Sequence, residues 1–184
     1  MIRYARRGSL VTFVLVFCLS TAFAQGKFNF PDRKEIVLDV CPHVKITNFA
    51  FYNTTDNRNS PENRLRYDWK NVGNLPVLAF ELVTLRYDPF DEPMLGARVL
   101  VAGKNSGDFR PLQPGEESND ASSEYGHVHV LTAIVYVRAV RFTDGTMWRA
   151  DPTVVAAELK KIAPRIKNPG PLTPEREKRD EKRQ

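Results

Sequence analysis

The sequence has 184 residues, with 27 Lys and Arg against 22 Asp and Glu. Most of the basic excess sits at the two ends, in Arg3, Arg6 and Arg7 and beyond residue 164, so residues 25–164 hold 17 bases against 18 acids. That near-neutral middle excludes the basic footprint a nucleic-acid partner needs, and two cysteines, Cys18 and Cys41, exclude a disulfide scaffold.

The first predicted element is a processing signal. Arg3, Arg6 and Arg7 precede an apolar run from Leu10 to Ala22, and Ala22-Phe23-Ala24 offers small residues for cleavage before Gln25. Residues 1–24 are therefore expected to be a cleaved signal peptide, since the run is shorter than the ~20 residues of a spanning helix. Export to a periplasmic or extracellular location follows, with no membrane insertion after cleavage. Cys18 leaves with the signal, so Cys41 is alone in the mature chain, and such a cysteine is expected to be buried unless it pairs with another chain.

Residues 25–34 read as a polar lead-in. Strand patterns follow over Glu35–Val40 and Val44–Tyr52, then a loop rich in Asn, Asp and Ser over Asn53–Asn63. In Leu65–Lys70 the apolar Leu65, Tyr67 and Trp69 alternate with Arg66, Asp68 and Lys70, the period of a strand with one buried face. Val77–Asp88 is apolar on both faces, which suits a central strand. Shorter strand patterns cover Ala97–Ala102 and Thr146–Arg149, and a long one covers Val128–Phe142, with Asp144-Gly145 as a hairpin turn. Asp151 caps a predicted helix with Pro152 at its first position, an apolar stripe of Val155, Leu159 and Ile162, and Pro164 as its stop. Residues 165–184 combine prolines with dense mixed charge and are expected to be a disordered tail. The domain plan is thus a β-domain over 35–150, a helix over 151–164 and a tail over 165–184. The expected fold class is all-β, an antiparallel sandwich of about seven strands with one short C-terminal helix.

Three phrases occur in order: Asp68-Trp69-Lys70-Asn71-Val72-Gly73, Leu85-Arg86-Tyr87-Asp88 and Leu112-Gln113-Pro114-Gly115-Glu116. Over about residues 44–150 the chain resembles the bacterial extracytoplasmic immunoglobulin-like domains of the FxLYD type. The resemblance implies an immunoglobulin-like β-sandwich of the bacterial envelope and carries no catalytic residues.

Among the chemistry-bearing side chains, His127 and His129 at i, i+2 on a strand would share a face. Cys41 and His43 repeat that spacing, and if the two segments were neighbours the four would suit a zinc or copper ion. The plainer reading makes His127 and His129 the solvent-facing members of an alternating strand, with no metal and no other cofactor. Asp88, Asp91 and Glu92 lack calcium-loop spacing and read as a turn, and Glu116, Glu117, Asp120 and Glu124 read as a solvated loop. Trp69 and Trp148 are expected in the core. The chain has no G-x-S-x-G elbow and no Gly-rich phosphate cradle, so no catalytic constellation assembles. The expected function is a non-catalytic binding or structural module with an envelope or extracellular protein as partner, and a periplasmic metal binder is the alternative. Binding is expected in the Asn53–Asn63 loop, the Lys104–Gln113 loop or along an unpaired edge strand.

Overall fold

A computed structural model describes residues 33–55, 61–125 and 129–174. The expected signal segment therefore lies outside the described residues, as do His127 and the last ten residues. Eight strands and one helix are described. They run in the order β1 (Lys34–Val37), β2 (Val44–Thr55), β3 (Pro61–Asn71), β4 (Val77–Tyr87), β5 (Ala97–Ala102), β6 (Glu117–Tyr125), β7 (Thr132–Phe142), β8 (Met147–Arg149) and α1 (Pro152–Ile162). The protein is all-β apart from that helix.

Two sheets form. One has the order β1-β7-β4-β5, with β8 also paired to β7, and the other has the order β2-β3-β6. All pairs are antiparallel except β1 with β7. The sheets meet through apolar side chains of β2 and β3 on one side and of β4, β5 and β7 on the other. Trp69 lies edge-on to Phe80 across this core at 5.1 Å, and the Tyr67 and Thr84 hydroxyls meet at 3.2 Å. The alternation in Leu65–Lys70 is realised, with Leu65, Tyr67 and Trp69 buried and Arg66 exposed.

β4 is buried on both faces because a second core covers its outer side. Val83, Leu85 and Tyr87 of β4 and Ile134 and Tyr136 of β7 pack there against Val155, Leu159, Ala163 and Ile166. The helix behaves as its sequence demands at the start, where the Asp151 carboxylate accepts from the Thr153 amide at 2.7 Å and Pro152 opens the first turn. Its buried stripe differs from the expected one: Val155 and Leu159 are buried but Ile162 is exposed, and Ala163 takes the third position.

Three expectations are corrected. Residues 117–125, read as a solvated acidic loop, form β6, an edge strand paired with β3 along its length. The loop read over Asn53–Asn63 is shorter, because β2 and β3 continue in register to Thr55↔Pro61. Residues 165–174, read as the start of a disordered tail, form a strap across the outer face. Tyr87 donates its hydroxyl to the Pro169 carbonyl at 3.1 Å, Tyr136 donates to the Leu172 carbonyl, and Ile166 and Pro174 are buried.

Candidate functional site

The phrases Asp68–Gly73 and Leu112–Glu116 come together at one end of the sheets. Asn71, fully buried, donates its amide to the carbonyls of Leu75 at 2.9 Å and Leu112 at 3.0 Å and accepts from the Gly73 amide at 3.0 Å. Its own carbonyl accepts from the Gly115 amide. Gly115, at φ 78°, follows Pro114 in a tight turn closed by the Glu116 amide on the Gln113 carbonyl at 3.0 Å. One side chain thus joins two loops and braces the surface around the start of β2.

Beside this brace, β1 leaves β7 after Val37, and β8 takes its place along the same side of β7 at Ala139–Arg141. The chain running from β1 to β2 crosses to the other sheet through Asp39, Val40 and Cys41. The crossing opens a groove of about 720 Å³, floored by Trp148 and bordered by Val40, Pro42, Val72 and Val154. Val72 and Val154 are 47% and 48% exposed. Among the described residues β8 pairs with β7 alone. The Phe142 amide bonds to the Thr146 carbonyl and the Ala150 amide to the Arg138 carbonyl. By the alternation of an antiparallel ladder, Met147 and Arg149 then turn their backbone groups away from β7, toward the open side.

Apart from the exposed Arg149, the groove's polar groups are occupied or quiet. Asp39 pairs with Lys45 at 3.1 Å, and Asp151 caps α1. Cys41 is buried, as expected for an unpaired cysteine. Burial pushes its thiol pKa up against the opposing backbone contacts of Val44 and His43, so the thiolate is disfavoured. The His43 ring stands edge-on to Phe142 at 5.0 Å and to Trp148 at 6.0 Å, which spends it on packing.

The four-ligand metal cluster is corrected by this placement. His43 sits at the Phe142 end of β7, whereas His129 is exposed just before the Thr132 end. An eleven-residue strand separates them by roughly 30 Å, so His43 and Cys41 cannot share an ion with His129. Among the described residues no group of three or more metal-ligating side chains converges. The corner Asp88–Glu92 is a turn as read, with the Asp88 carboxylate accepting from the amides of Phe90 and Glu92. Trp69 is fully buried and donates its indole N–H to the Lys104 carbonyl at 3.2 Å, while Trp148 is half-buried at the groove.

Of the two loops expected to bind, only Lys104–Gln113 is fully described. It is fastened to the sheets by a Lys104–Glu116 ion pair at 2.9 Å and by Ser106 bonds to Asp120, leaving Phe109 exposed. The groove beside β8 was not legible as a place. Only Asp144-Gly145, which sets the short return strand, pointed toward it.

No protein-family model and no curated protein matches the chain. A solved structure of similar shape is that of a hypothetical protein from Peptoclostridium difficile 630, 14% identical, covering 66% of this chain and 91% of its own, with a TM-score of 0.47.

Proposed function

We propose that this chain is an exported, immunoglobulin-like β-sandwich of the bacterial envelope that works without catalysis, taking an extended segment of an envelope or extracellular protein against the open edge of β8. The observation that carries the reading is the groove beside that edge, where Arg149, whose backbone groups turn away from β7, lies with an apolar lining of Trp148, Val72 and Val154. Added strands gain affinity from backbone bonds and specificity from pockets for alternate side chains, and the groove supplies both kinds of contact.

The strand order supports the immunoglobulin-like description. Three strands, β2-β3-β6, face a sheet in which β5, β4, β7 and β8 are successive neighbours, an arrangement of the kind seen in such sandwiches. The FxLYD-type resemblance gains a physical reason in Asn71, which links two of its phrases. Export rests on the basic, apolar and small-residue pattern of residues 1–24. The reading of non-catalysis rests on the groove's chemistry, a disfavoured thiolate and two carboxylates already paired or capping.

The test is affinity purification of the tagged mature chain after crosslinking in living cells. A reproducible envelope partner is expected, and Val72→Asp with Val154→Asp is expected to abolish its capture while leaving thermal unfolding unchanged. Capture indifferent to both substitutions, or no partner above a control exported by the same signal, overturns the reading.

A further inference from the structure

The outward face of the larger sheet carries a second feature beside α1 and the strap, whose Pro174 carbonyl accepts from Arg98 at the trough's margin. A shallow trough of about 330 Å³ crosses β5, β4, β7 and β8. Ala79 and Ala139 keep its floor low, and the exposed Leu100 and Met147 stand along it. Arg98, Arg138, Arg141 and Arg149 line it with a single carboxylate, Glu81, so its lining carries a net charge of +3. That concentration stands out because the other charges of residues 25–164, 13 bases against 17 acids, are net negative.

The one carboxylate is already committed. Glu81 is 7% exposed and accepts from Arg98 Nε at 2.7 Å and from Arg138. Burial alone would raise its pKa, but the hydrogen bonds from the two guanidinium groups outweigh it and hold the carboxyl below its ordinary range. Arg141 and Arg149 are exposed, and among the described residues no carboxylate pairs with either.

We propose that this trough docks an acidic, extended segment of a partner protein, with carboxylates on Arg141 and Arg149 and apolar side chains against Leu100 and Met147. Guanidinium groups bind carboxylates in a planar, bidentate manner, which gives such a contact direction as well as charge. The apolar walls set between the cations fit a chain that alternates acidic and apolar side chains better than they fit a bare phosphate. Arg98 and Arg138 are recessed, with side chains only 20% and 25% exposed, within reach of a peptide side chain but not of a flat lipid surface. The trough is distinct from the β8-edge groove, with which it shares Arg149 but neither Arg141 nor Leu100.

The probe is a short fluorescein-labelled peptide of alternating Glu and Leu, titrated into the mature full chain by anisotropy. Saturable binding is expected, weakening with salt and falling at least about tenfold in Arg141→Glu, as for loss of a charged contact. Val154→Asp, which lies in the other groove, is expected to leave it unchanged. The full-length mature chain with Glu175, Glu177, Asp180 and Glu181 all changed to Gln tests these acidic residues as competitors for the trough. Equal or tighter binding there supports the trough as the site, and lost binding overturns it. The proposal is also overturned if the peptide does not saturate, if Arg141→Glu binds it equally, or if phosphatidylglycerol vesicles bind the chain and the peptide does not compete.

Discussion

Asn71 shows how much one polar side chain can organise. Its amide meets two carbonyls and one amide of neighbouring loops in a fully buried position. Asn71→Ala leaves those groups without their partner, and each unsatisfied buried group costs roughly 1–3 kcal/mol. We expect a loss of about 2–4 kcal/mol in urea denaturation, and weaker binding at the groove the loops brace. Glu116 gives a second residue-level expectation. The Arg110 guanidinium, then the Gln113 amide and Lys104, hold its pKa at about 2 against an ordinary value of 4.5. A lowered folded-state pKa contributes stability above the unfolded value and loses it as pH falls through the folded one. Stability should therefore decline between about pH 4.5 and about pH 2 less steeply in Glu116→Gln than in the parent, as read by denaturant titration at each pH. Equal slopes would remove Glu116 from the acid response.

At the scale of elements, the strap over residues 165–174 is the least anticipated part. It forms no strand, and its hold comes from hydroxyls and an arginine reaching its carbonyls, with Arg98 on Pro174 at 3.4 Å, and from glycine notches. A Cβ at Gly96 would lie 2.5 Å from Pro174 Cγ and 2.8 Å from the Thr84 carbonyl oxygen. Gly96→Ala should therefore loosen the strap, seen as faster proteolysis at the exposed Lys167 and a loss of about 1–3 kcal/mol, the ordinary cost of overpacking. Gly115→Ala meets nothing within 4 Å but sits at φ 78°, so it should cost only about 1 kcal/mol through backbone strain and leave the strap intact. Proteolysis unchanged in Gly96→Ala would mean that the notch does not hold the strap.

These elements also show what was legible and why. Leu65–Lys70 announced itself because one face is apolar and the other charged, and a strand is the only regular structure that separates them. β4 looked apolar on both faces, but the sequence could not say that a helix and a strap cover the second face. β6 escaped because Glu117–Tyr125 is an edge strand held by its backbone ladder to β3, with Ser118 and Ser122 where apolar residues would signal burial. The strap escaped because its prolines and charges suggest an unfolded chain, whereas few apolar groups suffice when Tyr87 and Tyr136 bind its backbone. Histidine spacing misled for a related reason. Spacing within a segment says nothing about which end of a strand another segment reaches, and β7 keeps His43 and His129 apart.

For the whole molecule, the two packed sheets leave β1, β2, β5, β6 and β8 paired on one side only among the described residues, and at the short β8 the crossing from β1 to β2 leaves a groove beside the edge. Exposed edges invite pairing, and proteins normally cover or charge them. Here the edge lies beside a groove with an aromatic floor and exposed valines, which under the proposed function selects a partner over indiscriminate association. The most direct test is site-specific photocrosslinking in living cells, with a photoreactive phenylalanine analogue in place of Val154 in the groove and, as control, of Arg66 on the exposed face of β3. A discrete crosslinked species is expected from position 154 and none from position 66. No species from position 154, or the same species from both positions, would contradict the proposed function.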